Sequence, residues 1–382
     1  MRSMKRAPAP KAATKTKSAA RRTPRTPRWP VNLDDFELAA QRRLSPMAFA
    51  YIAGGAGDER TMRRNSEAFG EIRLKPRVLV DVSRVDTSIE LFGHAMPHPI
   101  LLAPTAYHKL SHHEGEIATA RGAQAAAATL VVSSYATTGV EEIAQATAQP
   151  LWFQLYVHPD RDFTRDLVAR AVAAGCAAVC ITVDSPVFGA RNREARTRFE
   201  LPAGVSAKHL APLGGAAQKA GHVAADGVYS PMTDASLEWK DIAWLCSLTS
   251  TPVILKGILT PEDARRAIDH GAAGIIVSNH GGRNLDTLPA TIEALPGVAK
   301  AVDGRIAVLL DGGIRRGTDV LKALALGASA VLIGRPYVWG LAVGGAGGVT
   351  EVVRILRDEF RAAMALCGLP DVSRITPDVL WP

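Results

Sequence analysis

Aromatic residues make up only 5% of this 382-residue sequence, and cysteine occurs four times, at Cys176, Cys180, Cys246 and Cys367. The cysteine spacing matches no zinc or redox motif, so no metal site is expected; reduced, mostly buried thiols in a cytoplasmic protein are. No stretch approaches the ~18 uninterrupted apolar residues of a membrane-spanning helix. The first thirty residues contain no acidic side chain. Lys5, Lys11, Lys15 and Lys17 with Arg2, Arg6, Arg21, Arg22, Arg25 and Arg28 give them ten positive charges. They also lack the apolar segment of a secretory signal and are too rich in Ala, Pro, Lys and Thr to bury a core. A disordered, solvated basic tail over residues 1–30 is therefore expected, with weak contact to an acidic partner or membrane surface as the alternative. The rest of the chain holds 35 basic and 37 acidic residues. The body, residues 31–382, is nearly neutral, and its charge does not argue for nucleic-acid binding.

What is present is glycine (33 residues) and a 47% hydrophobic content, which suit an α/β protein with many tight turns. Residues 34–44, 46–52 and 59–68 read as three leading helices. Then short apolar runs alternate with helical patterns. The predicted strands are Ile100–Ala103, Leu130–Ser133, Trp152–Leu155, Ala178–Thr182, Val253–Lys256, Gly274–Ser278, Ile306–Asp311 and Ala330–Gly334. Helical patterns lie between them, for example at 114–128, 160–174, 237–248, 261–270 and 318–326, and a last helix runs from about Val349 to Leu366. Eight strand-helix units in series predict a (β/α)8 TIM barrel with N-terminal capping helices, rather than an open sheet. One connection is long: Val183 to Ser236 follows the fourth strand. An insertion of that length at a barrel's top reads as a lid or a partly disordered loop.

Barrel enzymes carry their chemistry at the C-terminal ends of the strands. Here those ends read Pro104-Thr105-Ala106, Ser133-Ser134, Gln154 with Tyr156, Thr182 with Asp184, Lys256, Ser278 with His280, Asp311 and Arg335. A scaffold would not need polar groups at nearly every position of one rim; a flat polar cofactor across the mouth would. Asp311-Gly312-Gly313-Ile314-Arg315 after strand seven and Gly334-Arg335 after strand eight read as a phosphate site. Glycine admits close backbone approach, a helix N-terminus adds partial positive charge and arginine offers paired donors. Gly312-Gly313 alone would be an ordinary turn. Lys256 is snorkelling, aimed at an anion, or a Schiff-base lysine. A fixed lysine there would stabilise a reduced, negatively charged flavin ring. His280 lies on a glycine-rich turn; Asp184 at another strand end could orient its imidazole and raise its pKa, and Arg283 could clamp a carboxylate.

At these residues the chain resembles the FMN-dependent 2-hydroxy acid oxidase and dehydrogenase family, over about residues 32–370. The resemblance is carried by Ser278-Asn279-His280-Gly281-Gly282-Arg283 with Leu285-Asp286, and by Ala103-Pro104-Thr105-Ala106, Phe153-Gln154-Leu155-Tyr156, Thr182-Val183-Asp184 and Asp311-Gly312-Gly313 with Arg315-Arg316-Gly317. It implies a single FMN-binding domain over residues 31–382. Pro104, Thr105 and Ala106 would line the flavin ring. Ser133, Gln154, Thr182 and Ser278 would hydrogen-bond it, and Lys256 would sit at its N1/O2 edge. Asp311 would bind the ribityl chain. Gly312, Gly313, Ile314, Arg315, Gly334 and Arg335 would form the phosphate end. Tyr51 and Arg283 would bind the substrate carboxylate, with Tyr156 and Arg191 as further substrate-side groups. His280 would be the proton acceptor, paired with Asp184.

The implied reaction is oxidation of an L-2-hydroxy acid to the 2-oxo acid, with flavin N5 accepting the electrons; direct hydride transfer and a carbanion route are both open. Ala106 stands where several dehydrogenases carry Gly, which favours O2 as the oxidant and hydrogen peroxide as product over a quinone or cytochrome. A non-catalytic flavin-binding protein is the reading from another class, and the presence of Tyr51, His280 and Arg283 speaks against it. Tyr135 replaces a Trp of glycolate oxidase-like members, Phe188 a frequent Leu and Asn284 a frequent Gln. Tyr135 and Phe188 would lie near the substrate side chain and leave its identity open. The resemblance further suggests a homotetramer or larger assembly.

Overall fold

The computed structural model describes residues 29–214, 228–230 and 232–382. The basic tail and the middle of the long connection after strand four lie outside the described residues, and so do the expectations placed on them.

Three helices lead in. α1, Leu33–Gln41, starts where the Asn32 side chain accepts from Asp35 N at 2.8 Å, and α2, Pro46–Ala53, where Ser45 Oγ accepts from Ala48 N with proline in the first turn. α3, Arg60–Glu71, has no local cap: its N-cap residue Glu59 is left-handed and makes no side-chain cap bond. Asp286, far away in sequence, takes over by accepting from Asp58 N at 2.9 Å and Thr61 N at 2.8 Å. This fastens α3 to the turn that carries His280.

A two-strand hairpin follows, β1 (Ile89–Leu91) and β2 (His94–Met96), reversed through Phe92 and Gly93, both at positive φ. It was not legible from the sequence, because three-residue strands carry too little periodicity. Its Leu91 and Met96 join the same buried cluster as Leu101, Val131, Trp152 and Ile254, and Phe92 packs on Trp152 with ring centroids 5.6 Å apart.

The barrel consists of β3 (Ile100–Leu102), β4 (Leu130–Ser133), β5 (Leu151–Leu155), β6 (Ala178–Thr182), β7 (Val253–Ile258), β8 (Gly274–Val277), β9 (Ala307–Asp311) and β10 (Ala330–Ile333). All pair in parallel, and β10 closes on β3. The expected strands are therefore present to within two residues at each end. Helices alternate with them: α4 (Gly115–Ala125), α5 (Val140–Gln145), α6 (Arg161–Ala173), α7 (Asn192–Thr197), α8 (Trp239–Ser247), α9 (Pro261–Asp269), α10 (Thr291–Val302) and α11 (Gly317–Ala325). Along each strand side chains alternate between two buried clusters. Leu102, Val132, Phe153, Ile181, Leu255 and Leu310 belong to the large cluster that includes the surrounding helices. Val131, Trp152, Cys180, Ile254, Ile276 and Leu309 fill the barrel interior. Counting on by two from the interior set reaches Ser133, Gln154, Thr182, Lys256, Ser278 and Asp311. The polar rim is the top of the inward-facing columns.

The last helix differs from expectation. α12 spans Arg335–Leu366 and breaks at Gly344 and Gly345, whose φ/ψ values are non-helical. The predicted helix from Val349 is only its second half. The glycine run ahead of Val349 lets two helical segments cross closely: an added Cβ at Gly348 would meet Gly340 O at 1.9 Å. Among the described residues no helix is long and apolar enough to cross a membrane.

Candidate active site

A cavity of about 1230 Å³, counted with its open mouth, lies at the C-terminal ends of the barrel strands. Every candidate site residue predicted from the sequence lines it, except Ser278 and Asp184. Those two stand behind the lining, and the hydrogen bonds show what they do there.

Two polar runs cross neighbouring strands. On β4, β5 and β6, Ser133 Oγ donates to Gln154 Oε1 at 3.2 Å and Gln154 Nε2 donates to Thr182 Oγ1 at 2.9 Å. On β7 to β9, Lys256 Nζ donates to Ser278 Oγ at 3.0 Å and lies 3.2 Å from Asp311 Oδ2. Ser278, fully buried, thus supports Lys256 and also accepts from His280 N at 3.1 Å. Burial works against the Lys256 charge, but Asp311 and Asp184 outweigh it and hold the ammonium above its ordinary range. Lys256 is therefore a fixed cation, which disfavours the Schiff-base alternative, since that chemistry needs a neutral amine.

His280 sits at φ +59, followed by Gly281 and Gly282 at φ +65 and +70. A non-glycine residue in the left-handed region is costly and persists only where its surroundings over-determine it. Here Asn279 Oδ1 accepts from Gly282 N at 3.2 Å, and Asn279 and Asn65 exchange two amide hydrogen bonds of 2.8 Å. The imidazole has two distinct faces. Nδ1 is 2.9 Å from Asp184 Oδ1, an acceptor, so Nδ1 carries the hydrogen. Nε2 is left as the basic nitrogen and lies 3.3 Å from Tyr156 Oη. Asp184 raises the His280 pKa, as expected, but the net shift is downward. Burial, the larger effect, lowers it below 6.5; Asp184 opposes this, and Lys256 and Arg191 add to the lowering. Asp184 itself is held below the ordinary carboxylate range: burial alone would raise it, but His280 and Lys256 pull it down. Burial and Asp184 push the Tyr156 phenol up to about 12, so it stays protonated.

The same cavity holds two more cations, Arg283 and Arg191. Arg283 Nη1 donates to Tyr51 O at 2.7 Å and Gly54 O at 2.8 Å, and its Cζ lies 5.2 Å over the Tyr51 ring. Nη1 is thereby spent on the backbone and Nη2 donates to Glu194 Oε1 at 3.4 Å, which leaves the Nε–H and the second Nη2 hydrogen for a ligand. Arg191 Cζ lies 5.6 Å over the Phe188 ring, and its buried Nε–H has no acceptor. Tyr51, Tyr107, Tyr135 and Tyr156 form a tilted to edge-on series that ends beside His280. Tyr107 was not singled out from the sequence; its place, two residues past the Pro104-Thr105 strand end, was the available signal.

The remaining wall suits a phosphorylated, hydroxylated cofactor. Asp311 Oδ1 is buried and without a partner, an acceptor waiting for a hydroxyl donor. Gly312 and Gly313 have φ of +92 and +86, turning the chain after β9 as only glycine does readily. Arg335 spends three N–H groups on Ile52 O, Gly281 O and Gly54 O, which leaves two of the five for a ligand. Burial, reinforced by the neighbouring Arg283 and Arg315, depresses it to about 9. A dianionic phosphate between Arg315 and Arg335 would relieve that crowding of positive charge.

Residues 40–382 match the FMN-dependent dehydrogenase family. Among curated proteins, the chain is 46% identical to an L-lactate oxidase from Nostoc sp. over 357 residues, covering 92% of this chain and 98% of the relative. It is 47% identical to glycolate oxidase from Spinacia oleracea over 347 residues, covering 91% and 94%. Among solved structures it resembles mandelate oxidase with (S)-2-phenylpropionate, with a TM-score of 0.84, 41% identity and coverage of 92% and 98%.

Proposed function

The chain belongs to the FMN-dependent dehydrogenase family, and on that premise we propose that it is an FMN-dependent oxidase of L-2-hydroxy acids that releases the 2-oxo acid and hydrogen peroxide. When bound, FMN would supply the acceptor for the two substrate electrons, with O2 as the final oxidant. O2 as oxidant is supported by the relatives being oxidases acting on lactate, glycolate and mandelate. The observation that carries the reading is the pairing, across one cavity, of a neutral His280 backed by Asp184 with the guanidinium groups of Arg283 and Arg191.

The residues divide the work as follows. Arg283 and Arg191 hold the substrate carboxylate, with Tyr51 beside them. That fixes the 2-hydroxyl and the α-carbon over the cofactor. His280 Nε2 takes the proton while Asp184 keeps the opposite nitrogen protonated and stabilises the imidazolium that forms. Tyr156 donates from the side of Nε2. Pro104, Thr105 and Ala106 would line the ring of FMN; Ser133, Gln154 and Thr182 would hydrogen-bond it; Lys256, seated by Ser278, would stabilise the negative charge of its reduced form. Asp311 would bind the ribityl chain. Gly312, Gly313, Ile314, Arg315, Gly334 and Arg335 would hold the phosphate. Tyr135 and Phe188 border the substrate side chain. The enzyme is assigned to the cytoplasm, as its buried free thiols suit, and to a homotetramer or larger assembly.

The test is anaerobic mixing of the purified yellow protein with a panel of L-2-hydroxy acids, followed by air. Bleaching, then rapid recovery with stoichiometric hydrogen peroxide, is expected. Bleaching with slow recovery and no peroxide would replace the oxidase with a quinone- or cytochrome-linked dehydrogenase. A yellow protein that none of the acids bleaches would leave a flavin-binding protein without turnover.

A further inference from the structure

Glu194 has no place in the roles just described, yet it stands among them. It lies in the first turn of α7, in the connection after β6. Its Oε1 is 3.4 Å from Arg191 Nη1 and 3.4 Å from Arg283 Nη2, and the three side chains are only 12%, 13% and 15% exposed, in the order Glu194, Arg191, Arg283. One carboxylate is thus shared by the two guanidiniums that face the substrate end.

The charge count matters because the three charged side chains are largely buried. Tyr51, Tyr135 and Phe188 wall this end of the cavity. Two cations and one anion leave a net charge of +1. Among the described residues the other charged groups nearby are compensated or committed to the phosphate wall, including Arg335, which shares Gly54 O with Arg283. Lys256 is 3.2 Å from Asp311 and compensated by it. His280 is neutral at neutral pH, and Asp184 behind it contributes a negative charge. Arg315 and Arg335 stand at the wall fitted to phosphate. One incoming carboxylate, met by the unpartnered Arg191 Nε–H and the remaining N–H groups of Arg283, brings the three-residue cluster to neutrality. A second carboxylate would be an uncompensated buried charge, a costly state.

We propose that Glu194 sets the charge of the substrate site and makes it selective for monocarboxylic over dicarboxylic 2-hydroxy acids. The proposal rests on the 2-hydroxy acid reading above. Glu194 acts through the two arginines and need not touch substrate. Removing its charge raises the site to +2, which favours a dianion over a monoanion by the attraction of one additional charge.

The test compares kcat/KM for L-malate with that for L-2-hydroxy-4-methylpentanoate, which carries an isopropyl group where malate has its second carboxylate. The wild type is expected to prefer the branched acid by at least about tenfold. Glu194→Gln should narrow that preference by about tenfold or more, and Glu194→Asp should restore most of it. A purely structural role would lower both values by the same factor, and that result overturns the proposal, as does equal use of both acids by the wild type. Binding to the oxidised wild-type holoenzyme, read from the flavin absorption spectrum, needs neither turnover nor a folded variant. Isovalerate should bind at least about tenfold more tightly than the isosteric malonate; equal affinity overturns the proposal. If no 2-hydroxy acid bleaches the protein, the functional reading fails, and this binding comparison still decides the charge of the site.

Discussion

His280 Nδ1 lies 2.9 Å from Asp184 Oδ1, while the opposite nitrogen, Nε2, lies 3.3 Å from Tyr156 Oη. The first contact decides which nitrogen is the base, and it does so from behind the cavity lining. Ser185 Oγ and Asn284 Nδ2 hold the same corner: the serine donates to Asp184 Oδ1 at 3.1 Å, and the amide donates to the Asp184 carbonyl at 2.9 Å.

Asp184→Asn should therefore keep FMN bound and slow its reduction by substrate by about 10²–10⁴-fold, because the amide neither enforces the Nδ1–H tautomer nor stabilises the imidazolium. Stopped-flow absorbance under anaerobic conditions measures this. His280→Ala should likewise stay yellow and lose reduction altogether on the same timescale. Wild-type rates in either variant would remove that residue from its role.

Since burial holds His280 below 6.5, the base is neutral at pH 7. The rate constant for reduction at low substrate should be flat around neutrality and fall as pH drops, with an apparent pKa under 6.5. An acid limb centred above 6.5 would mean that Asp184, not burial, dominates.

Acid should also cost stability, through a different histidine. His209 is buried; its Nε2 accepts from Val140 N at 2.9 Å, so that nitrogen must be unprotonated. Burial, with Arg170, depresses it to about 4 from 6.5. A depressed histidine binds its proton more readily when unfolded. Its contribution is thus fully present above about pH 6.5 and is lost as pH falls from there through about 4, on the order of 3 kcal/mol in all. Thermal melts between pH 7.5 and 4.5 should show a shallower acid slope for His209→Gln, which keeps an acceptor but removes the titration. Some slope persists, because burial depresses His98 and His108 as well.

Two glycines should respond oppositely to alanine. At Gly313, φ is +86 and an added Cβ would fall 1.9 Å from Asn65 O. Gly313→Ala should lose FMN and lower stability by at least about 1–3 kcal/mol, the cost of the backbone conformation before any clash. Gly70, exposed within α3, has nothing within 4 Å of the added Cβ. Gly70→Ala should raise stability by about 0.5–1 kcal/mol. Melting temperature and FMN affinity measure both; the reverse ranking would refute the local geometry.

The barrel and most of its site were legible in the sequence because both depend on short-range periodicity. Eight apolar runs of strand length, each followed by a helical pattern, specify the fold. Alternation by two along a strand sends Gln154, Thr182, Lys256 and Asp311 to the same interior phase as the apolar residues below them. The elements missed are those with little period to read. They are the β1–β2 hairpin, the short helices α5 and α7, α10 with Pro296 inside it, and the glycine-broken first half of α12.

What the chain's order of residues determined by itself is thus the architecture, the rim on which the chemistry sits and the identity of the base. Tertiary structure decided the rest, because it depends on burial and on contacts between distant segments. Ser278, expected to bond the flavin, lies behind the lining and seats Lys256. The His280 pKa moves down because desolvation exceeds the attraction of Asp184. Asp286 and Asn65 lock the left-handed turn to α3 across more than 200 residues. Glu194 meets Arg191 locally, three residues back, but reaches Arg283 only through the fold; no spacing along the chain announces a charge shared between residues 191 and 283.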